Sequence, residues 1–167
     1  DARLALGALR GEWALPAAAL ALARARLERP TPRLALGQAL RGTATSAIDL
    51  SDGLLGDVGH ILKASGVGAS MDVDVASDLI ACGALFKPAK APFDTQTRRA
   101  LVLAGGDDYE LAFTAPPGAR AAVERAAAQT ATRVTRIGRI EAAPGLRLLD
   151  AQGHVPADPY RSFDHFA

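Results

Sequence analysis

The chain has 167 residues, a net charge of +1, 22% charged residues and 49% hydrophobic residues. This length suits one domain with a full core, with or without a short extension. The near-neutral charge argues against nucleic acid held by bulk electrostatics, and no apolar run approaches the roughly 20 residues that span a bilayer. One cysteine and three scattered histidines exclude an internal disulfide and a structural zinc cluster. We therefore expect a cytoplasmic protein that binds neither nucleic acid nor membrane.

Helix-forming residues dominate the first part of the chain. Residues 2–10 and 16–28 predict helices, with Pro16 in a first turn and Pro30 and Pro32 as stops. The chain starts at Asp1 inside such a helical stretch and has no initiating methionine. We therefore expect residues 1–32 to be a helical lead-in from an N-terminal domain that is not part of this chain, and residues 33–167 to form a C-terminal domain.

The remaining elements alternate between helix and strand. Apolar residues at helical spacing predict a helix over 54–64, which Gly66 ends, and alternation over 68–75 predicts a half-buried strand. The full expectation is helices near 33–40, 54–64, 96–104 and 116–130, strands at 43–50, 68–75, 109–115 and 134–141, and a hairpin of 145–150 with 154–156 turned at 151–153. Because the strands are short and the last ones are linked by a hairpin, we predict an α+β fold with a mixed or antiparallel sheet and helices packed on it, rather than a doubly wound parallel sheet.

The first candidate site lies where a predicted strand meets a predicted helix, at Asp49, Ser51 and Asp52. Two carboxylates around a turn, with a hydroxyl between them, are suited to bind Mg²⁺, which takes oxygen ligands from one or two carboxylates and substrate phosphates. The exposed amides of a helix start also attract anions. The structural alternative is plain N-capping by Ser51 or Asp52.

The second candidate site is the run Gly105, Gly106, Asp107, Asp108, Tyr109 and Glu110 between a helix and a strand. Two glycines permit positive φ and close approach to a ligand, and adjacent acids are costly to crowd unless a cation relieves them. The structural alternative is a glycine helix cap followed by a solvated acidic turn. Both candidate sites lie in the acidic middle of the chain, since residues 42–110 carry ten acidic and five basic side chains.

Together these segments resemble a known family. AIDLSDGLLGDVGHILKASGVGA at 47–69, LAGGDDYELAFTAP at 103–116, IGRI at 137–140 and the terminal FDHF at 163–166 resemble the C-terminal half of the thiamine-monophosphate kinases, which belong to the superfamily of aminoimidazole ribonucleotide synthetase. RPTPRLALGQAL at 29–40 resembles that family's interdomain stretch, so the resemblance covers nearly the whole chain. The pair of IDLSDGL and GGDDYEL is specific, whereas either motif alone would be a weaker signal.

The resemblance implies ATP- and Mg²⁺-dependent phosphorylation of thiamine monophosphate to thiamine diphosphate. It implies that Asp49 and Asp52 bind Mg²⁺, that Ser51 contacts ATP phosphates, and that Asp107 and Phe163 contact the substrate. No catalytic nucleophile is expected, because the acceptor is already an anionic phosphate and catalysis would consist of positioning and charge neutralisation. The family's N-terminal domain would supply further metal ligands and a homodimer interface. We therefore expect these 167 residues to be inactive by themselves.

Two other functions stay open on the sequence alone. One is a sister ATP-using enzyme of the same superfamily, such as a selenophosphate synthetase or a hydrogenase-maturation protein, although the latter is expected to end in a cysteine-bearing tail. The other is a non-catalytic binding domain that keeps the fold. His60, Arg98 and Arg99 could contact ligand, but a solvated helix face is the better explanation for each of them.

Overall fold

The computed structural model describes residues 1–77, 94–156 and 160. Three helices come first in this described part of the chain, and strands and helices are interspersed after them. In chain order they are α1 (Ala2–Leu9), α2 (Ala17–Glu28), α3 (Leu34–Ala39), β1 (Ser46–Asp49), α4 (Leu54–Ser65), β2 (Gly68–Asp72), α5 (Val73–Ser77), α6 (Thr95–Leu103), β3 (Leu111–Thr114), a 3₁₀ turn (Pro117–Ala119), α7 (Arg120–Gln129), β4 (Gly138–Glu141) and β5 (Gly145–Leu149).

The strands form two small sheets among the described residues. β1 pairs with β3 in antiparallel fashion, with Asp49 opposite Leu111. β2 is the central strand of the other sheet, antiparallel to β4 and parallel to β5. The predicted α+β class with mixed and antiparallel pairing is confirmed, but the strands are divided between two sheets rather than joined in one.

Three apolar clusters hold these elements together. Leu54 of α4, Met71 of β2 and Leu103 of α6 are buried in one cluster, to which Leu50 and Ala112 also contribute. A second cluster joins α3 and α7 around the β1–β3 sheet. Burying such side chains contributes roughly 1.5–3 kcal/mol each. The β1–β3 sheet thus lies between packed helices, which fixes the loops at its end.

The lead-in helices pack onto α6. Leu4 and Ala23 are buried with Leu101, and Trp13 packs against the same cluster. The indole N–H of Trp13 donates to the Leu4 carbonyl at 3.0 Å, and a Cβ added at Gly7 would lie 2.0 Å from the Trp13 ring. Trp13 is therefore a packing residue of the lead-in. The predicted domain boundary at residue 32 stays a prediction.

The predicted strand over 68–75 is too long. β2 ends at Asp72, and α5 follows at once. The Asp72 carboxylate accepts hydrogen bonds from the amides of Asp74 at 3.0 Å and Val75 at 2.9 Å, which is the pattern of a helix N-cap. Capping by Asp72 therefore overrides the alternating apolar pattern.

The predictions near the end of the chain are also partly wrong. β4 begins at Gly138 rather than at residue 134, because Val134 packs in the cluster between α3 and α7. A turn does form after β5, where the Gly153 amide donates to the Asp150 carbonyl at 2.9 Å. Residues 154–156 form no strand, however, and β5 pairs with β2 instead of with them. Within the described residues, no helix has the length and apolar character needed to cross a membrane.

Candidate functional site

The two candidate sites meet in space, at the end of the β1–β3 sheet. Residues 50–53 follow β1, residues 104–110 precede β3, and we call these two loops the two-loop junction. The Leu50 amide donates to the Glu110 carbonyl at 2.8 Å, and the Tyr109 amide donates to the Leu50 carbonyl at 2.9 Å. The Asp107 amide donates to the Ser51 carbonyl at 2.9 Å. Antiparallel pairing of two distant strands therefore unites motifs that the sequence keeps apart.

Two glycines allow the loops of the junction to approach this closely. A Cβ added at Gly106 would lie 2.4 Å from the Ser51 carbonyl oxygen. Gly53 has φ +116°, and a Cβ there would lie 2.9 Å from the carbonyl carbon of Ala104. Gly106 and Gly53 thus each accommodate the backbone of the opposite loop, which no larger residue could do without a shift of that backbone.

The Gly105–Gly106 pair does not provide the positive φ expected of it. Left-handed backbone is found instead at Asp107, with φ +67°, and at Tyr109, with φ +49°. Such conformations are uncommon for residues with a side chain and concentrate at functional sites. The close approach of Gly106 is made to the chain's own Ser51, not to open space reserved for a ligand. Gly105 follows the Ala104 C-cap of α6 but lacks the left-handed conformation of a capping glycine, so the glycine-cap alternative is wrong.

A buried carboxylate organises the loop after β1. The amides of Ser51 and Asp52 both donate to Oδ2 of Asp57, at 2.9 and 3.1 Å. Asp57 lies in the first turn of α4 and is only 3% exposed. The N-cap position of α4 is occupied by Gly53, so neither Ser51 nor Asp52 is the N-cap residue. Sequence reasoning missed Asp57, although an acid one turn into α4 was a visible signal.

Along residues 107–110, exposed side chains alternate with side chains that are hydrogen-bonded to the N-terminal part of the chain. Asp107 and Tyr109 are exposed. The Asp108 carboxylate accepts from the backbone nitrogens of Asp1 at 3.0 Å and Ala2 at 2.9 Å, at the start of α1. Crowding in the run is thus relieved in part by tethering, which leaves Asp107 facing solvent.

Glu110 is held by Arg26 of α2 and by Arg33, the residue before α3. Its carboxylate accepts from the guanidinium groups of Arg26 and Arg33, with contacts of 2.6 and 2.7 Å to Arg33. The hydrogen bond to Glu110 raises the pKa of Arg33 above its usual value. Because Asp108 and Glu110 bind the lead-in, α1 and α2 support the turn that carries Asp107.

The structure thus brings four of the predicted site residues to one place. Asp49 ends β1 and is exposed, and Ser51 and Asp52 are half-buried in the loop that follows. Asp107 is joined to Ser51 by the backbone hydrogen bond described above. The fifth predicted residue, Phe163, lies outside the described residues. Across residues 1–77, 94–156 and 160, no group of three acidic, histidine or cysteine side chains is arranged to hold a metal ion.

The weaker candidates lie elsewhere. Arg99 donates to the Asp74 carboxylate at 3.0 Å, and this bond lowers the pKa of Asp74. Arg98 donates to the Ser77 carbonyl at 3.3 Å, and His60 is exposed on α4. Both arginines therefore have bonds within the chain that a solvated helix face would not predict. Tyr109, a member of the second candidate site to which the sequence assigned no role, is exposed close to Asp107 in the chain.

Comparison with known proteins gives a consistent result. Residues 10–151 match the family described as AIR synthase related protein, C-terminal domain. The chain is 45% identical over 140 residues to a protein of Salmonella typhimurium named thiamine-monophosphate kinase, covering 83% of this chain and 41% of that protein. The chain therefore spans less than half the length of the curated relative that it matches.

Solved structures show the same fold. The crystal structure of thiamine-monophosphate kinase from Stenotrophomonas maltophilia K279a superposes with a TM-score of 0.74 at 35% identity, covering 93% of this chain and 48% of that one. The protein AaThiL, complexed with AMPPCP and TMP, superposes with a TM-score of 0.69 over 99% of this chain and 48% of that one. At 24% identity, this second likeness concerns the fold alone.

Proposed function

Since the chain belongs to the family of AIR synthase related proteins, as one of their C-terminal domains, we propose that it supplies half of the active site of a thiamine-phosphate kinase. The full-length protein would transfer a phosphoryl group from ATP to thiamine monophosphate and form thiamine diphosphate. The proposal includes a cytoplasmic location, a homodimer and an N-terminal domain that completes the site.

One observation carries this proposal beyond the similarity of sequence. The β1–β3 pairing joins the IDLSDGL and GGDDYEL motifs at the two-loop junction, with the Asp107 amide bonded to the Ser51 carbonyl. The residues assigned to the nucleotide and those assigned to the substrate therefore stand on two loops in direct contact. Phosphoryl transfer requires such proximity, because positioning and charge neutralisation supply most of its catalysis.

The donor atoms at the junction fit Mg²⁺. Asp49 and Asp52 offer carboxylate oxygens and Ser51 a hydroxyl, and Mg²⁺ is bound in proteins by one or two carboxylates together with phosphates and water. Asp49 and Asp52 would hold the ion, and Ser51 would donate its hydroxyl hydrogen to a phosphate oxygen. The bound ion would supply neutralisation of the phosphate charges. The remaining ligands would come from ATP, water and the rest of the full-length protein.

Asp107 would orient the second substrate. It is exposed, and its left-handed backbone is fixed by the bond to Ser51. A carboxylate in this position favours a cation, and the thiazolium ring of thiamine monophosphate is cationic. Asp107 would therefore hold the acceptor near the phosphates bound at the other loop without taking part in bond making.

Phe163 belongs to the same proposal through the FDHF motif. An aromatic face next to a cationic ring is worth about 0.5–2 kcal/mol. We expect Phe163→Ala in the full-length enzyme to raise KM for thiamine monophosphate about fivefold to thirtyfold, and to leave KM for ATP nearly unchanged. If Phe163 only packs the tail, a thermal melt will show a lower melting temperature while both KM values stay at the wild-type level.

A direct assay tests the proposed function. The full-length protein that carries this chain is incubated with MgATP and thiamine monophosphate, and thiamine diphosphate is measured. We expect turnover by the full-length protein and none by residues 1–167 alone. Full-length protein that melts cooperatively but forms no thiamine diphosphate would contradict the proposal. Turnover by the isolated chain would contradict the statement that it holds only half of the site.

A further inference from the structure

We propose that Asp57 is a positioning residue that fixes Ser51 and Asp52 for their contacts with nucleotide and metal. The inference rests on the proposed function, which gives Ser51 and Asp52 those contacts. Asp57 itself would touch neither ATP nor Mg²⁺. It would act through the two backbone amides that donate to one of its oxygens, Oδ2.

Burial makes an ordinary stabilising role a poor explanation for Asp57. An acid in the first turn of a helix already stabilises the helix dipole when it is exposed, so this role does not require burial. Asp57 is 3% exposed, and burying a carboxylate is costly unless hydrogen bonds compensate for the lost water. The compensation here comes from the loop after β1, because the amides of Ser51 and Asp52 donate to Oδ2 of Asp57.

Ser51 is held from both sides as a result. Its amide donates to Asp57 at 2.9 Å, and its carbonyl accepts from the Asp107 amide at 2.9 Å. The Asp52 amide is fixed by the same Asp57 oxygen at 3.1 Å. Asp57 therefore anchors the whole junction, because losing its oxygen would free the peptide to which Asp107 is bonded.

The same bonds change how phosphate can approach the loop. The amides of Ser51 and Asp52 are already donated to a carboxylate, so they are not available to an anion as the amides of a phosphate-binding loop are. A negative side chain also lies beneath them. Phosphate would therefore be recruited through Mg²⁺ and the Ser51 hydroxyl, which makes the exact placement of these two side chains important.

Three substitutions of Asp57 in the full-length protein distinguish the effect of the position of its carboxylate oxygen from the effect of its charge. Asp57→Asn keeps an oxygen at the same distance from the backbone and removes the charge. Asp57→Glu keeps the charge and displaces the oxygen by one methylene. Asp57→Ala removes both. Asp94→Asn is the matched control, because Asp94 caps α6 by accepting from the Thr97 amide at 2.7 Å, a bond that asparagine also makes.

The first readout is the Mg²⁺ concentration that gives half-maximal kinase activity. We expect this concentration to rise at least about tenfold in the Glu and Ala variants, which is the usual effect of losing a residue that orients metal ligands. We expect a rise of less than about threefold in the Asn variant and in the Asp94→Asn control. If the Glu variant needs less Mg²⁺ than the Asn variant, the charge at residue 57 and not the position of its oxygen sets the Mg²⁺ requirement, and the proposal is overturned. Wild-type Mg²⁺ dependence in all three variants would also overturn it. The Asn and Glu variants decide the matter even when the Ala variant does not fold.

The second readout is amide hydrogen exchange at Ser51 and Asp52, which needs no activity. We expect protection in the wild type and the Asn variant, and faster exchange in the Glu variant. If the wild-type protein forms no thiamine diphosphate, the proposed function fails while these exchange rates still test the anchoring by Asp57. Equal exchange rates in the Asn and Glu variants would overturn the anchoring itself.

Discussion

Asp52→Asn in the full-length protein is expected to lower kinase activity at limiting Mg²⁺ by about a hundredfold or more, equivalent to about 2.7 kcal/mol of transition-state stabilisation. The substitution keeps the size of the side chain and removes one carboxylate from the proposed metal site. The fold should survive, because asparagine has nearly the size of aspartate and the hydrogen bond to Asp57 is donated by the backbone amide of residue 52, which the substitution keeps. The measurement is a Mg²⁺ titration of the initial rate.

Asp94→Asn serves as the control for this change in charge. Asp94 is exposed and caps α6 through the Thr97 amide, away from the junction. The control should titrate like the wild type. An Asp52→Asn enzyme that turns over at the wild-type rate at limiting Mg²⁺ would show that the metal assignment is wrong.

Gly106→Ala is expected to destabilise the protein and to abolish most of its activity. The new Cβ would lie 2.4 Å from the Ser51 carbonyl oxygen, so one of the two loops must move. Forcing extra atoms into a well-packed site typically costs about 1–3 kcal/mol. Because the displaced atom belongs to Ser51, kinase activity should fall together with the melting temperature.

Gly37→Ala is the matched control for Gly106→Ala. Gly37 lies within α3, and a Cβ there would meet no atom within 4 Å. Alanine in a helix interior stabilises by about 0.5–1 kcal/mol relative to glycine. The control should therefore melt at or above the wild-type temperature with full activity. If Gly106→Ala also melts and turns over like the wild type, the close packing of the two loops has no role in the site.

Local signals predicted most of the helices correctly. Proline and glycine mark helix ends, as at Gly66, which closes α4 in a left-handed conformation with φ +66°. The strand boundaries were less predictable, because a strand of four or five residues has too little periodicity to distinguish its end from the cap of a following helix. Asp72 illustrates this, since its side chain starts α5 where alternation alone extends β2.

The residues of the candidate site could be named from the sequence, but the contacts that support them could not. The motifs identified Asp49, Ser51, Asp52 and Asp107 as candidates, and the family resemblance gave them roles. Nothing local revealed that Gly106 accommodates Ser51, or that Asp57 bonds two amides of the preceding loop. These contacts depend on the pairing of β1 with β3, which is a long-range property of the fold.

The left-handed backbone conformations in the junction could not be predicted from the sequence either. Two adjacent glycines suggested positive φ at Gly105 or Gly106, yet Asp107 and Tyr109 adopt it. Tertiary hydrogen bonds from these two residues to Ser51 and Leu50 stabilise the strained backbone. Sequence propensities do not include such long-range hydrogen bonds, so the strained backbone at Asp107 and Tyr109 could be found only in the structure.

The most direct test of the proposed site is a crystal structure of the full-length protein with Mn²⁺ in place of Mg²⁺, an ATP analogue and thiamine monophosphate, with the ion located by anomalous scattering. We expect an anomalous peak about 2.1 Å from carboxylate oxygens of Asp49 or Asp52, with the nucleotide phosphates bound to the same ion. We also expect thiamine monophosphate on the side of Asp107. A nucleotide-bound metal peak that touches neither Asp49 nor Asp52 would show that the metal assignment is wrong.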